Sequence, residues 1–164
     1  GYGELGRGTE TIARAFGMDV LVAARPGSGD VPAGRIAFDE MLERADAVTL
    51  HCPLNDDTRN LMGIEQFEKM KNSAFLINTA RRGLVDSAAL AKALSTGEIA
   101  GAAVDVLPNE PPVDGDPLLD YTGDNLVITP HIAWASNEAR QNAIDELAAN
   151  AAAFQRGEAR NRVV

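Results

Sequence analysis

The sequence predicts an α/β domain built on a doubly wound parallel sheet. Three observations carry that expectation. Short apolar runs alternate with stretches of helical periodicity along the 164 residues. The runs do not alternate apolar with polar residues, which suits strands buried on both faces of a parallel sheet. A glycine-rich turn opens the chain just ahead of the first helical stretch, where such a fold places one.

Each element follows in order. Gly1-Tyr2-Gly3-Glu4-Leu5-Gly6 has the pattern G-x-G-x-x-G. From Glu4 to Phe16, Leu5, Ile12 and Phe16 recur at helical spacing,. Val20–Ala24 is the first strand candidate, and Pro26–Gly34, rich in Gly and Pro, is a loop,. Phe38–Arg44 is a short amphipathic helix, and Ala47–Leu50 is the second strand. Asn55-Asp56-Asp57 reads as a solvated turn or helix cap,. Ala74–Ile77 is the third strand. Asp86 can cap a helix through Leu94, with Gly97 just past its end,. Ala100–Val106 is the fourth strand, Pro108–Pro117 a loop, and Leu126–Thr129 the fifth strand. Ser136 can cap a long helix to Phe154, followed by Gly157,. Ile144, Leu147, Ala151 and Phe154 form one stripe of that helix, which is expected to face a core,. The domain expected is residues 1–135, with 136–164 as a C-terminal helix and tail.

Composition excludes several classes. Fifteen Lys and Arg against 24 Asp and Glu leave a net charge of -9, which disfavours nucleic acid and anionic membrane surfaces as partners. A 45% hydrophobic content is ordinary for a folded globular chain,. No apolar run approaches the roughly 20 residues that cross a bilayer. Cys52 is the single cysteine, so no internal disulfide forms and a reducing, cytoplasmic setting is expected. Two histidines and one cysteine are too few for most zinc sites,, and no metal is expected. The motif begins at the first residue, which is not methionine, so the sequence reads as an excerpt. The central strand that should lead into Gly1 is then absent, and residues 1–164 are not expected to fold well or turn over substrate alone.

The glycine pattern has a physical reading. Gly1 allows a tight turn, Gly3 lets a pyrophosphate approach the backbone, and Gly6 lets the helix pack close to the sheet. The helix start offers free N–H groups to phosphate. A dinucleotide is therefore the expected cofactor. About 20 residues on, a carboxylate usually holds the adenine ribose diol. Here that place is Ala24, followed by Arg25, with no carboxylate from Val22 to Ser28. An arginine without the acid favours NADP(H) over NAD(H), with NAD(H) kept as the alternative.

Three further segments bring reactive residues to strand ends: Asn78-Thr79-Ala80-Arg81, Asp105 with Glu110-Pro111, and Thr129 to Trp134. Strand carboxyl ends form the ligand crevice of an open α/β sheet. GYGELG, LHCPLNDDTRNL (50–61), INTARRGLVD (77–86), AAVDVLPNEPP (102–112) and TPHIAWAS (129–136) run nearly end to end. In this order they resemble the cofactor domain of the D-isomer-specific 2-hydroxyacid dehydrogenases, and HIAWAS together with the strand candidate ending before Pro26-Gly27 is most similar to the glycerate dehydrogenase (hydroxypyruvate reductase) branch.

The resemblance implies roles residue by residue. His131 matches the family's acid/base histidine, Glu110 the carboxylate paired with it, and Arg81 the arginine that grips the substrate carboxylate; Arg81 and His131 are also expected to border the cofactor. Asp105 matches the aspartate near the nicotinamide carboxamide. Glu4 and Leu5 match the pair whose backbone meets the pyrophosphate. Pro53, Thr79 and Ala80 match residues on the adenosine and nicotinamide ribose side, and Ala133 matches one in the nicotinamide pocket. It also implies a homodimer and a small 2-keto or 2-hydroxy acid, hydroxypyruvate or glyoxylate, as substrate. A cofactor-sensing corepressor module is the alternative from another functional class. Arg82 departs from the family, where glycine is frequent, and pairing with a surface acid is its plainer role. His51 reads as a structural strand-end histidine and Cys52 as a quiet thiol. Trp134 fits either a substrate entrance or a subunit contact.

The residue types suit the chemistry. Reduction of a 2-keto acid develops charge on the carbonyl oxygen, to which a protonated His131 can donate. Glu110 would hold the imidazole ring. Arg81 can take the carboxylate with two parallel hydrogen bonds, a fork that lysine lacks.

Overall fold

The computed structural model describes residues 1–27 and 29–162. In chain order the elements are α1 (Glu4–Ala15), α2 (Phe38–Arg44), β1 (Ala47–Leu50), α3 (Ile64–Lys69), β2 (Phe75–Asn78), a 3-10 turn (Arg82–Leu84), α4 (Ser87–Thr96), β3 (Gly101–Val104), β4 (Leu126–Ile128) and α5 (Asn137–Gln155). The four strands form one parallel sheet in the order β1-β2-β3-β4. The chain divides into two compact units, one ending at Pro130 and one beginning at His131.

The core of the first unit lies on one face of the sheet. Val48, Leu76 and Ala102 stand in one cross-strand row, and Leu50, Asn78 and Val104 in the next. All six are buried. Met41 and Leu42 of α2, Phe67 of α3, and Leu90, Ala93 and Leu94 of α4 join the same apolar cluster. Each fully buried large side chain contributes about 1.5–3 kcal/mol relative to exposure, so this cluster fixes the register in which the strand ends meet the loops beyond them.

Capping agrees with the sequence. The Asp86 carboxylate accepts the Ala89 N–H at 3.0 Å, and Gly97 closes α4 at φ 73°. The Ser136 hydroxyl accepts the Ala139 N–H at 3.1 Å at the start of α5. Asp86→Ala is expected to lower stability by about 1 kcal/mol, read as a lower denaturation midpoint at unchanged slope.

Three expectations are corrected. Val20–Ala24 is not a strand of the sheet: it makes only one parallel bridge, Ala23 to Ile36, with Ala24 N–H to Ile36 O at 2.8 Å and Ile36 N–H to Val22 O at 3.0 Å. In the doubly wound order its inner neighbour is the strand that leads into the glycine turn, and no described residue takes that place. For the same reason β1 pairs only with β2 among the described residues.

The strands are also not covered on both faces. Phe75 is 51% exposed and Val127 60% exposed on the face away from the core. The apolar runs are therefore continuous although only one side is packed. Leu5 and Ile12 of α1, and Phe16 just past its end, are exposed as well.

Finally, the Leu147–Phe154 stripe does not face a core: Leu147 is 70% and Phe154 85% exposed, and Ala153 is the one buried residue of α5. The second unit consists mainly of this helix. One helix has no second layer of its own on which to bury an apolar stripe. No helix among the described residues is long and apolar enough to cross a membrane.

Candidate active site

The glycine turn is built by close backbone approach. A Cβ on Gly1 would lie 2.4 Å from the His51 carbonyl, and one on Gly6 would lie 2.5 Å from Gly1 O. Neither position accepts a side chain without backbone movement. A Cβ on Gly3 would meet nothing within 4 Å. Gly3 is the N-cap of α1 and offers no side chain to the helix start. The N–H groups of Glu4, Leu5 and Gly6 thus have no acceptor within the helix, and the space beside Gly3 is open. That cradle fits the pyrophosphate of a dinucleotide.

Arg35, which the sequence reading missed, ties this turn to the neighbouring segment. Its guanidinium sits 5.7 Å from the Tyr2 ring centroid and donates to Ala23 O at 3.1 Å. The Tyr2 hydroxyl donates to Glu10, and with Arg14 it holds the Glu10 carboxyl below its ordinary range.

Ala24 is 4% exposed, so its methyl group faces protein, whereas Arg25 is exposed. Arg25 is consequently the residue of the two that can meet a ribose substituent. Pro53 is exposed, and its carbonyl accepts the Thr58 hydroxyl at 2.7 Å. Asn55 and Thr58 close the turn over 55–58 by exchanging backbone and side-chain hydrogen bonds, as the solvated-turn reading expects. His51 is partly buried, and its Nε2 lies 3.1 Å from the Thr49 hydroxyl. Burial lowers its pKa.

The carboxyl ends of β2 and β3 carry the next group. Asn78, at the last position of β2, is 1% exposed. Its Oδ1 accepts the Ala80 N–H and its Nδ2 donates to Arg81 O, both at 3.1 Å. Thr79 and Arg81 are exposed and Ala80 is half-buried. The Arg81 guanidinium donates to Ala80 O at 2.7 Å and to no carboxylate among the described residues. Asp105 follows β3 directly and is 3% exposed. It accepts the Thr129 hydroxyl at 2.5 Å, and its own N–H donates to Asn78 O at 2.9 Å. These contacts bring the ends of β2, β3 and β4 together.

Glu110 is exposed in the loop beyond β3, and its Oε1 accepts the Leu107 N–H at 2.8 Å. The loop is anchored at its far end by buried Asp116, which accepts the Ser87 hydroxyl at 3.0 Å and the Leu118 N–H at 2.9 Å. An open cleft of 590 Å³ lies between this loop and the 82–88 turn, with Arg59 and Arg82 on its wall. Arg82 has no carboxylate partner among the described residues, contrary to its plainer sequence reading.

His131 opens the second unit. It is exposed and has φ 54°, a left-handed backbone that costs a non-glycine residue about 1–3 kcal/mol,. The Trp134 indole N–H donates to His131 O at 2.8 Å, which ties the tryptophan to the histidine's backbone. Such strain on a chemistry-capable side chain is an outlier of the kind found at functional sites. Ala133 is exposed two residues on.

A parallel sheet with a glycine cradle before α1, and polar residues gathered at its strand ends, defines a dinucleotide-binding domain. Residues 1–133 match the family described as D-isomer specific 2-hydroxyacid dehydrogenase, NAD binding domain. The chain is 48% identical to a glycerate dehydrogenase of Methylorubrum extorquens, over 99% of this chain and 51% of that protein. It is 39% identical to a glyoxylate reductase of Korarchaeum cryptofilum, over 96% of this chain and 48% of that one. Its fold superposes on the NAD-complexed D-isomer specific 2-hydroxyacid dehydrogenase of Lactobacillus delbrueckii ssp. bulgaricus with a TM-score of 0.86 and 33% identity, over all of this chain and 54% of that one. The chain belongs to the D-isomer specific 2-hydroxyacid dehydrogenase family. It spans about half the length of the curated relatives it matches.

Proposed function

We propose that the full-length protein is an NAD(P)-dependent oxidoreductase that interconverts a small 2-keto acid and its D-2-hydroxy acid, with hydroxypyruvate or glyoxylate as the keto acid. The observation that carries this reading is the exposed Arg81 guanidinium at the carboxyl end of β2, held by a pinned backbone, in a chain of this family. The glycerate dehydrogenase and glyoxylate reductase names of its relatives support the substrate class.

In this reading Arg81 takes the substrate carboxylate as a planar fork and polarises the adjacent carbonyl. His131 donates a proton to the carbonyl oxygen as charge develops there. Glu110 holds the imidazole through its other ring nitrogen. Asp105, steadied by Thr129, faces the nicotinamide carboxamide. Gly1, Gly3, Glu4, Leu5 and Gly6 take the pyrophosphate on backbone N–H groups. Pro53, Thr79, Ala80 and Ala133 line the remaining cofactor surface. A bound nicotinamide supplies the hydride. Residues 1–135 make up the cofactor domain, and 136–164 return toward a substrate domain. The protein acts in the cytoplasm as a homodimer.

Arg25 is exposed and follows Ala24 in a segment, Val22 to Ser28, that contains no carboxylate, which favours NADP(H) slightly over NAD(H). Titration of the full-length protein should give a dissociation constant a few-fold lower for NADPH than for NADH. Arg25→Ala should remove most of that few-fold difference. Tighter binding of NADH by the native protein would reverse the preference.

The reading as a whole is tested by assaying the full-length protein with either reduced cofactor and a panel of 2-keto acids. Oxidation of the cofactor with hydroxypyruvate or glyoxylate is expected. Failure with every keto acid would leave cofactor binding without this chemistry.

A further inference from the structure

We propose that Asn78 is a positioning residue for substrate recognition: its buried amide fixes the backbone that aims the Arg81 guanidinium. The inference rests on the reading of Arg81 given above and extends it to a residue with no place in that chemistry.

The geometry is unusually complete for one side chain. Asn78 ends β2 on the covered face of the sheet, between Leu50 and Val104 in the cross-strand row. Its main chain is fixed there, because its carbonyl accepts the Asp105 N–H from the neighbouring segment at 2.9 Å. The side chain then reaches forward. Oδ1 accepts the N–H two residues on, and Nδ2 donates to the carbonyl three residues on. Arg81 O also lies 3.3 Å from the Leu84 N–H, so the amide and the 3-10 turn share that acceptor. The bend from β2 into the turn is thereby closed from both sides, and Arg81 emerges from it in an extended conformation, φ -145° and ψ 139°.

Only an amide of this length meets both requirements. One backbone N–H needs an acceptor and one carbonyl needs a donor, and the carboxamide presents one of each from a single carbon. An ionised aspartate of the same shape has two acceptors, one of which would face the Arg81 carbonyl. A serine is too short to hold both partners. Asn78 is 1% exposed, so water does not substitute freely for a lost partner.

The test compares Asn78→Asp, Asn78→Ser and Arg81→Gln with the native full-length protein. Four quantities are read: KM for the keto acid, inhibition by oxamate, the dissociation constant for reduced cofactor, and the thermal midpoint. KM and the oxamate constant do not depend on the fraction of enzyme that is folded, whereas maximal velocity does. A loss of stability alone therefore leaves both constants where they were. Both Asn78 variants are expected to raise KM and the oxamate constant about tenfold at saturating cofactor, and the cofactor dissociation constant shows how far the Ala80 backbone moves with Arg81.

Unchanged KM and oxamate constants in the Asn78 variants, with any fall in midpoint or velocity, would overturn the inference. If Arg81→Gln raises both constants in the same experiment, the reading of Arg81 stands and only the role of Asn78 falls. If Arg81→Gln leaves them unchanged, or the native protein neither turns over a keto acid nor binds oxamate, both fall together. Asn78→Ser covers the case in which the aspartate variant does not fold.

Discussion

Replacing His131 with alanine in the full-length protein is expected to lower kcat for keto acid reduction by about a thousandfold, equivalent to about 4 kcal/mol of barrier. Cofactor affinity should change little, because the cradle that holds a pyrophosphate belongs to Gly1–Gly6. The physical basis is the oxygen that gains charge during hydride arrival. Without a positioned acid, that charge must be met by water or by Arg81 alone. The left-handed backbone at His131 and the Trp134 hydrogen bond to its carbonyl do not depend on the imidazole, so the variant should remain folded. Steady-state kinetics beside a cofactor titration make the check. A kcat within threefold or so of native would remove His131 from proton transfer.

The second large effect separates two glycines only three residues apart. Gly6→Ala places a methyl group 2.5 Å from Gly1 O, and the obstacle is backbone, which cannot rotate away. Overpacking of this kind costs about 1–3 kcal/mol, and relief must open the turn. Both the thermal midpoint and cofactor affinity should fall, the latter by about two orders of magnitude. Gly3→Ala meets nothing within 4 Å, so the midpoint should fall only by the modest cost of alanine at an N-cap. Its methyl group nevertheless enters the open space over the α1 N-terminus, and cofactor affinity should fall by at least about tenfold. Thermal unfolding with and without reduced cofactor distinguishes the two. Native-like binding by Gly3→Ala would show that the pyrophosphate does not approach the backbone there.

Much of the architecture could be read in the residues because the signals were local. Phe38–Arg44 and Ala47–Leu50 were located to the residue, since an amphipathic turn and a short apolar run each announce themselves. Asp86, Gly97, Ser136 and Gly157 marked helix ends through chemistry confined to one turn. The six-residue α3 escaped because Gly63 gives no side-chain cap. Val20–Ala24 was misread for a different reason: an apolar run shows strand propensity, but a ladder needs a neighbour. The same holds for Leu147 and Phe154, whose spacing shows amphipathicity without saying what lies opposite.

The candidate residues were legible as motifs, and their supports were not. Nothing in the sequence alone says that Asn78 binds Ala80 and Arg81, that Thr129 donates to Asp105, or that Arg35 spans Tyr2 and Ala23. The first is a buried short-range bond, and the others join segments distant in sequence. Arg81 and Arg82 are neighbours of the same type, yet one donates to the turn that precedes it and the other lines a cleft. Backbone geometry, not residue identity, separates them.

Among the described residues β1 has a strand partner on one side only, and the same sheet carries the uncovered Phe75 and Val127 face. A bare rim of this sort is a template for a foreign chain. Residues 1–164 produced in isolation therefore carry a built-in tendency to zip onto their own kind, and conditions for handling them should be chosen with clumping in mind.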